Sequence, residues 1–310
     1  MMRSTSDVLS VQRKIPRMLG DRAICMMFLW PTLALLLFLI AYPFLMLIYN
    51  SFFRYSVLRP AVEPEFVGFS NYLFFLSDDY TWARFIFTGK FVFLAVLIQF
   101  VLGICIAYLL QTKFKGRDVV FTMLLMPMML CPIIVGLFWR YLFNSEWGLI
   151  NYLISVVANI QIEWLGDPTY SLWAVVIADT WMWTPFIILL ATAAFSGIPK
   201  ALYEAADVDG ASAGFKFLNI TLPMSAPVLV IALLLRLIDS FKQFDLFYAL
   251  TGGGPGDATQ TASFMLYKTA FQYFYTGEAS ALGMMLLIII IGLSSVLIRY
   301  LSTLSERQKG

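Results

Sequence analysis

The sequence predicts an all-α polytopic membrane protein with six transmembrane helices, and three observations predict it. Six predominantly apolar runs lie at 24–49, 85–110, 119–143, 170–195, 221–247 and 279–300. Each meets the ~20 residues that a helix needs to cross a bilayer. Only 13% of the 310 residues are charged and 60% are hydrophobic, where a water-soluble domain carries about 25% charge. Too few charges remain to coat a globule, and mean hydropathy is +0.80. Lysine and arginine are also unevenly placed. With the N-terminus in the cytoplasm, only Arg54, Arg59, Arg84 and Lys268 of the 21 cations fall on outward segments. Lys90, Arg140, Arg236 and Lys242 fall within or at the ends of runs, which leaves thirteen facing inward. That is the bias of cytoplasmic loops. Both termini and the 194–220 loop are therefore expected on the cytoplasmic side.

Residues 1–23 are polar and basic, and are expected to form a poorly ordered cytoplasmic segment. The first run is too apolar over too great a length for a signal-peptide core, and no small-residue cleavage site follows it. The loop near 50–84 carries "RPAVEPEFVGFSNYLFFL", whose prolines break helix and whose aromatic residues suit a membrane interface. "TKFKGRD" is a short basic inward turn. The third run contains Pro127 and Pro132, and the fourth contains Pro185 after "DTWMW". Proline in a membrane helix is tolerated where neighbours satisfy the freed carbonyls, and it kinks the helix. The outer loops near 50–84, 144–169 and 248–278 are too short to fold alone. No fixed-period repeat is visible. The expected organisation is a six-helix membrane domain over 24–300 and a cytoplasmic tail over 301–310.

Composition also excludes chemistry. With no histidine in the chain, Ser-His-Asp and Cys-His nucleophiles and histidine-ligated metals are impossible. Cys25, Cys105 and Cys131 share no metal-ligand spacing and read as small apolar side chains. No metal site or catalytic residue is expected. A net charge of +2 gives no reason to expect a nucleic-acid partner.

The inward loop "EAADVDGASAGFKFLNITLP", 204–223, is the mildly polar exception. Pro199 suits the first helical position and Gly210 the position just past the end. Ala201, Leu202, Ala205 and Ala206 share a small, smooth face. Glu204 and Asp207 lie on the other side, and Lys200 and Glu204 stand at i, i+4. Asp207 and Asp209 sit in the last turn, where the macrodipole disfavours acids by about 0.3–1 kcal/mol. Two accounts stay open: Asp209 caps a second short helix starting near Ala211, or the acid fixes a turn that presents the loop to a partner. Pro223 is expected to open the fifth span.

"EAADVDGA" followed by "ITLP" resembles the EAA loop of the inner-membrane permeases of binding-protein-dependent ABC importers. The matches are Glu204, Ala205, Ala206, Asp209, Gly210, Ala211, Ile220, Leu222 and Pro223. "TGGGPGDAT", "FVGFSNY" and "NSEWGLIN" look like the carbohydrate-importing branch, typified by the larger maltose-permease subunit and the glycerol-phosphate permease. This chain lacks the additional N-terminal spans and large outer domain of that maltose subunit, so nothing from those parts carries over. The resemblance implies a type I ABC importer permease fold. It makes 196–220 a coupling loop whose Glu204, Ala205, Ala206, Asp209 and Gly210 dock on a cytoplasmic ATPase. It implies a second related permease subunit, two ATPases and an extracytoplasmic solute-binding protein in a bacterial inner membrane. No G-x-x-x-x-G-K-S/T phosphate loop occurs here, so ATP and magnesium belong to the partner ATPase and no cofactor is expected on this chain. Gly252, Gly253, Gly254 and Pro255 form an outer glycine-rich turn expected to contact the binding protein.

Strongly polar residues inside a membrane are expensive and usually face a cavity. Arg236, Ser240 and Gln243 recur at i, i+4, i+7 in the fifth run, with Asp239 adjoining. Asp179, Trp183 and Phe186 share a face in the fourth. Aromatic rings stack on the C–H faces of a sugar, and carboxylate, amide and guanidinium groups bond its hydroxyls. By resemblance these residues, with Met182 and Met128, line a sugar path. Other readings are open. Arg236 with Asp239, or Asp239 with Lys242, neutralise each other between helices; Trp181 and Trp183 are packing or interface anchors; or Arg236 pairs an anionic substrate. At the level of the whole chain, an ion-coupled secondary transporter would show inverted halves, which are not seen. A membrane enzyme would rest on Asp179 and Asp239 alone.

Overall fold

The computed structural model describes residues 21–307 except positions 60 and 113. The expectations for 1–20 and 308–310 lie outside the described residues. Helix α1 (Asp21–Ser51) runs unbroken through Pro31 and Pro43, and up to residue 49 it forms a unit by itself.

The second unit begins at residue 50. A short antiparallel ribbon joins β1 (Phe53–Arg54) to β2 (Glu65–Phe66). Asn71 of α2 (Ser70–Ser77) donates to the carbonyls of Ser51 and Phe53 at 2.9 and 3.1 Å, pinning that helix to the ribbon. Helix α3 (Asp79–Leu109) begins six residues before the apolar run. Asp78 causes this: its carboxylate accepts from the Thr81 amide at 2.9 Å and satisfies one of the orphan donors of the first turn.

The third run does not form one straight span. Helix α4 (Arg117–Leu125), a tight turn over Met126–Met129 and helix α5 (Pro132–Leu142) replace it, bent by 99° at the break. Proline pushes the residue before it out of the α region. Cys131 accordingly has ψ 134° and Leu130 has ψ 148°, and two extended residues in a row end any helical ladder. Helix α6 (Leu149–Ala158) follows. In α7 (Pro168–Ser196), Asp167 caps the amides of Thr169 and Tyr170, and Pro185 lies within an unbroken helix.

The loop forms α8 (Lys200–Val208). The fifth span begins well before Pro223: α9 (Ala213–Lys216), a π turn over Phe217–Thr221 and α10 (Leu222–Lys242) make one continuous helical stretch. It stops at Lys242, because Gln243 turns extended at ψ 121°. The expected end of the run becomes a separate helix, α11 (Asp245–Leu250). Helix α12 (Ala262–Tyr267), a second π turn at Lys268–Gln272 and α13 (Thr276–Arg307) complete the chain. Among the described residues five helices are therefore long and apolar enough to cross a membrane, and the bent pair makes a sixth if counted as one span.

Helices α3 and α7 pack along each other, with Phe91, Ala95, Ala178 and Met182 in one buried cluster. Helix α10 packs against α3, α7 and α13. Helix α11 packs on α5, where a Cβ added to Gly136 would lie 2.6 Å from the Ala249 Cβ. Glycine is what lets those two short helices approach so closely.

Candidate functional site

Two regions carry polar groups that a membrane fold cannot hold without reason. The first lies where α3, α7 and α10 meet. Arg236 and Asp179 are buried to 1% and 0% exposure. Arg236 Nη2 donates to Asp179 Oδ2, and its Nε donates to Gln99 Oε1 at 2.7 Å. Gln99 Nε2 closes the ring by donating to Asp179 Oδ2 at 2.8 Å. The guanidinium also lies 4.9 Å from the Trp183 ring centroid, within cation–π range. A charge taken out of water costs several kcal/mol unless it is paired and its remaining bonds are met. Here each charge answers the other, and the amide on α3 binds both.

Ten buried side-chain atoms among the described residues lack a partner, and five of them belong to the expected path residues. Asp179 Oδ1, Arg236 Nη1, Trp183 Nε1, Ser240 Oγ and Gln243 Nε2 are buried without a protein partner. A buried, unmatched polar atom costs about 1–3 kcal/mol. They comprise one acceptor, three N–H donors and a hydroxyl, groups that can bond the hydroxyls of a polar guest.

Other expected path residues are placed differently. Met182 is core, and Phe186 stands edge-on to Trp183 with ring centroids 6.4 Å apart. Met128 is half-buried in the tight turn of the bent pair. Asp239 is outside the cluster: it is half exposed and pairs with Lys242 at 3.4 Å. Gln243 follows the end of α10, so it does not continue the helix face of Arg236 and Ser240. Gln99 was missed. Its signal was present, as a lone amide in the middle of an apolar run.

The second region is α8. Its end is a Schellman motif. The Gly210 amide donates to the Asp207 carbonyl at 3.1 Å and the Ala211 amide to the Ala206 carbonyl at 2.9 Å. That closure requires a left-handed residue, and Gly210 has φ +71°. Of the two acids of the last turn, one finds a partner. Asp207 pairs with Lys216 at 2.5 Å. Asp209 does not cap the next helix; Ser212 does, accepting from the Phe215 amide at 3.2 Å. Among the described residues Lys200 and Glu204 form no ion pair, and Pro199 precedes the helix instead of opening it. Ala201, Leu202, Glu204, Ala205 and Asp209 are exposed, and Ala206 is half-buried. A shallow concavity of about 390 Å³ adjoins them, lined by Ala206, Asp209, Ala211, Ser212 and Phe215.

On the glycine-rich loop, Gly252 is exposed, Gly253 is buried against Phe264, and Gly254 and Pro255 are half-buried. Asp257 fastens this loop to α3: its carboxylate accepts from Tyr80 at 2.9 Å and its carbonyl from Arg84 at 2.9 Å.

A bundle with a broken third span and a short exposed helix between its fourth and fifth spans is the type I permease fold of ABC importers. A solved alginate importer has it, with TM-score 0.78, 20% identity, and 90% of this chain and 95% of that one covered. The family model described as "Binding-protein-dependent transport system inner membrane component" matches residues 99–308, and the chain belongs to that family of multi-pass membrane proteins. It is 39% identical over 240 residues to a trehalose/maltose transport system permease protein of Thermococcus litoralis, covering 76% of this chain and 80% of that one. It is 31% identical over 297 residues to a sulfoquinovosyl glycerol transport system permease protein of Agrobacterium fabrum, covering 94% and 96%.

Proposed function

We propose that this chain is the permease subunit of an ATP-driven importer that carries a sugar from an extracytoplasmic binding protein into the cytoplasm. The observation that carries the reading is α8. A short helix whose small-residue face is left bare, and whose end is closed by a glycine turn back into the fifth span, is built to dock on another subunit. The partners would be a second permease subunit, two ATPases that hold ATP and magnesium, and a solute-binding protein that meets the outer loop at Gly252–Pro255. The cytoplasmic membrane, with both termini inside, follows from the cation distribution.

The sugar reading is supported by the relatives, which are named as permeases for trehalose/maltose and sulfoquinovosyl glycerol, and by the unmatched polar atoms of Asp179, Trp183, Arg236, Ser240 and Gln243. The charge state of the cluster favours a neutral sugar. Arg236 is answered by Asp179, and an incoming anion would meet that carboxylate as well as the guanidinium. Uptake into proteoliposomes holding the co-expressed complex tests the function, with radiolabelled maltose and trehalose as probes. Dependence on internal ATP and on the binding protein is expected. Uptake driven by an ion gradient without ATP would overturn the proposal. Trp183→Ala and Gln243→Ala should lower the uptake rate with the ATPase still bound, and unchanged kinetics in both would remove these residues from the path.

A further inference from the structure

We infer that Tyr203 is a positioning residue, and that its hydrogen bond to Thr221 is the strut that makes α8 and α10 move as one body. The inference rests on the reading of α8 as a docking helix. Tyr203 and Thr221 are eighteen positions apart, on opposite sides of the glycine turn, and their hydroxyl oxygens lie 2.8 Å apart. Thr221 is fully buried. Its Oγ1 is also 3.4 Å from the Lys216 carbonyl. Either hydroxyl can donate across the 2.8 Å bond; with the tyrosine as donor, the threonine proton is free to reach the Lys216 carbonyl.

The place of this bond is its significance. Thr221 is the last residue of the π turn, immediately before α10. Pro223 has no N–H, so the helical ladder lacks a rung there, and a π turn with a missing rung is a weak joint. A push on α8 reaching α10 only through the backbone would have to cross that joint. The side-chain bond skips most of it, reaching directly to its last residue, next to α10. Further ties hold the base of the joint: Asp207 to Lys216 from α8, and from α3 the Tyr108 ring, 4.7 Å from the Phe217 ring centroid. Ser225 Oγ donates to the Thr221 carbonyl at 2.6 Å and fixes the same residue from the α10 side. Tyr203 thus carries a contact from α8 to the α10 end of the joint.

The test uses the purified complex with its ATPase, in a background where Cys25, Cys105 and Cys131 are serine. Spin labels at Val208→Cys on α8 and Leu235→Cys on α10 report the distance between the two helices, without nucleotide and after trapping with MgATP and vanadate. The unmodified pair should give the same single narrow distance in both states. Tyr203→Phe and Thr221→Val should each lose it: the distribution broadens and shifts on trapping, while the ATPase still co-purifies. Thr221→Ser keeps the hydroxyl and should restore the narrow peak. The double variant should be no worse than either single one, since both remove the same bond. One narrow peak retained in Tyr203→Phe and Thr221→Val, or a double variant clearly worse than both, overturns the strut and leaves the docking reading standing. Failure of the ATPase to co-purify with the unmodified chain overturns the docking reading, and the strut falls with it.

Discussion

Among the described residues Arg236 is the largest fully buried side chain, and Asp179 on α7 neutralises it, not the nearby Asp239. Asp179→Ala leaves the guanidinium buried and unpaired, which costs about 3–5 kcal/mol. The purified protein should unfold at a clearly lower temperature in a detergent melt. Asp179→Leu combined with Arg236→Met removes both charges and should recover most of that loss while abolishing uptake. A double variant as unstable as the single one would show that packing, not charge, holds the three helices. At Gly210 the physics is different. A Cβ there would meet nothing within 4 Å, so only the φ of +71° resists a side chain. Gly210→Val should cost about 1–2 kcal/mol locally and should weaken co-purification of the ATPase, or its stimulation by the loaded binding protein, without affecting membrane insertion. Normal assembly and stimulation in this variant would remove the loop from coupling.

At the scale of elements, prolines act according to what surrounds them. Pro185 leaves α7 intact, whereas Pro132, following a turn that already contains Pro127, opens the third run into two helices. Helix α5 is then held by α11, and the contact depends on Gly136. Gly136→Leu would drive a side chain into the Ala249 Cβ at 2.6 Å and the Leu246 carbonyl at 3.1 Å. Overpacking of this kind costs about 1–3 kcal/mol. Limited proteolysis at 144–148, the segment just beyond α5, should become faster. A digestion pattern identical to that of the parent chain would mean that α11 does not need this close approach.

For the whole molecule, the proposed orientation puts Ser212 on the cytoplasmic face and Gly252 outside. In a cysteine-free background, Ser212→Cys should react with an impermeant maleimide only in broken cells or inverted vesicles. Gly252→Cys should react in intact cells whose outer layers are permeable to the reagent. The reverse pattern would invert the topology, and with it the assignment of α8 to the ATPase side.

The sequence by itself determined that this chain lives in lipid, roughly where most of its long helices lie, and that α8 ends just before Gly210. Those features follow from local quantities: apolar length, the charge of each loop, and the conformations open to glycine and proline. Arg236, Asp179 and Gly210 were each visible as oddities within their own segments. Partnership was not visible. Gln99 looked like a stray amide in α3, Arg236 stood closer in sequence to Asp239 than to Asp179, and nothing local joined Tyr203 to Thr221. Gln99 lies 80 positions from Asp179, and Arg236 lies 57 from it. Which carboxylate answers a buried charge depends on which helix faces it, and helix facing is a property of packing among several spans at once. Tertiary structure alone therefore decided that the polar residues of α3, α7 and α10 form one compensated cluster, that the fifth span ends at Lys242, and that α8 is tied to α10 across a π turn.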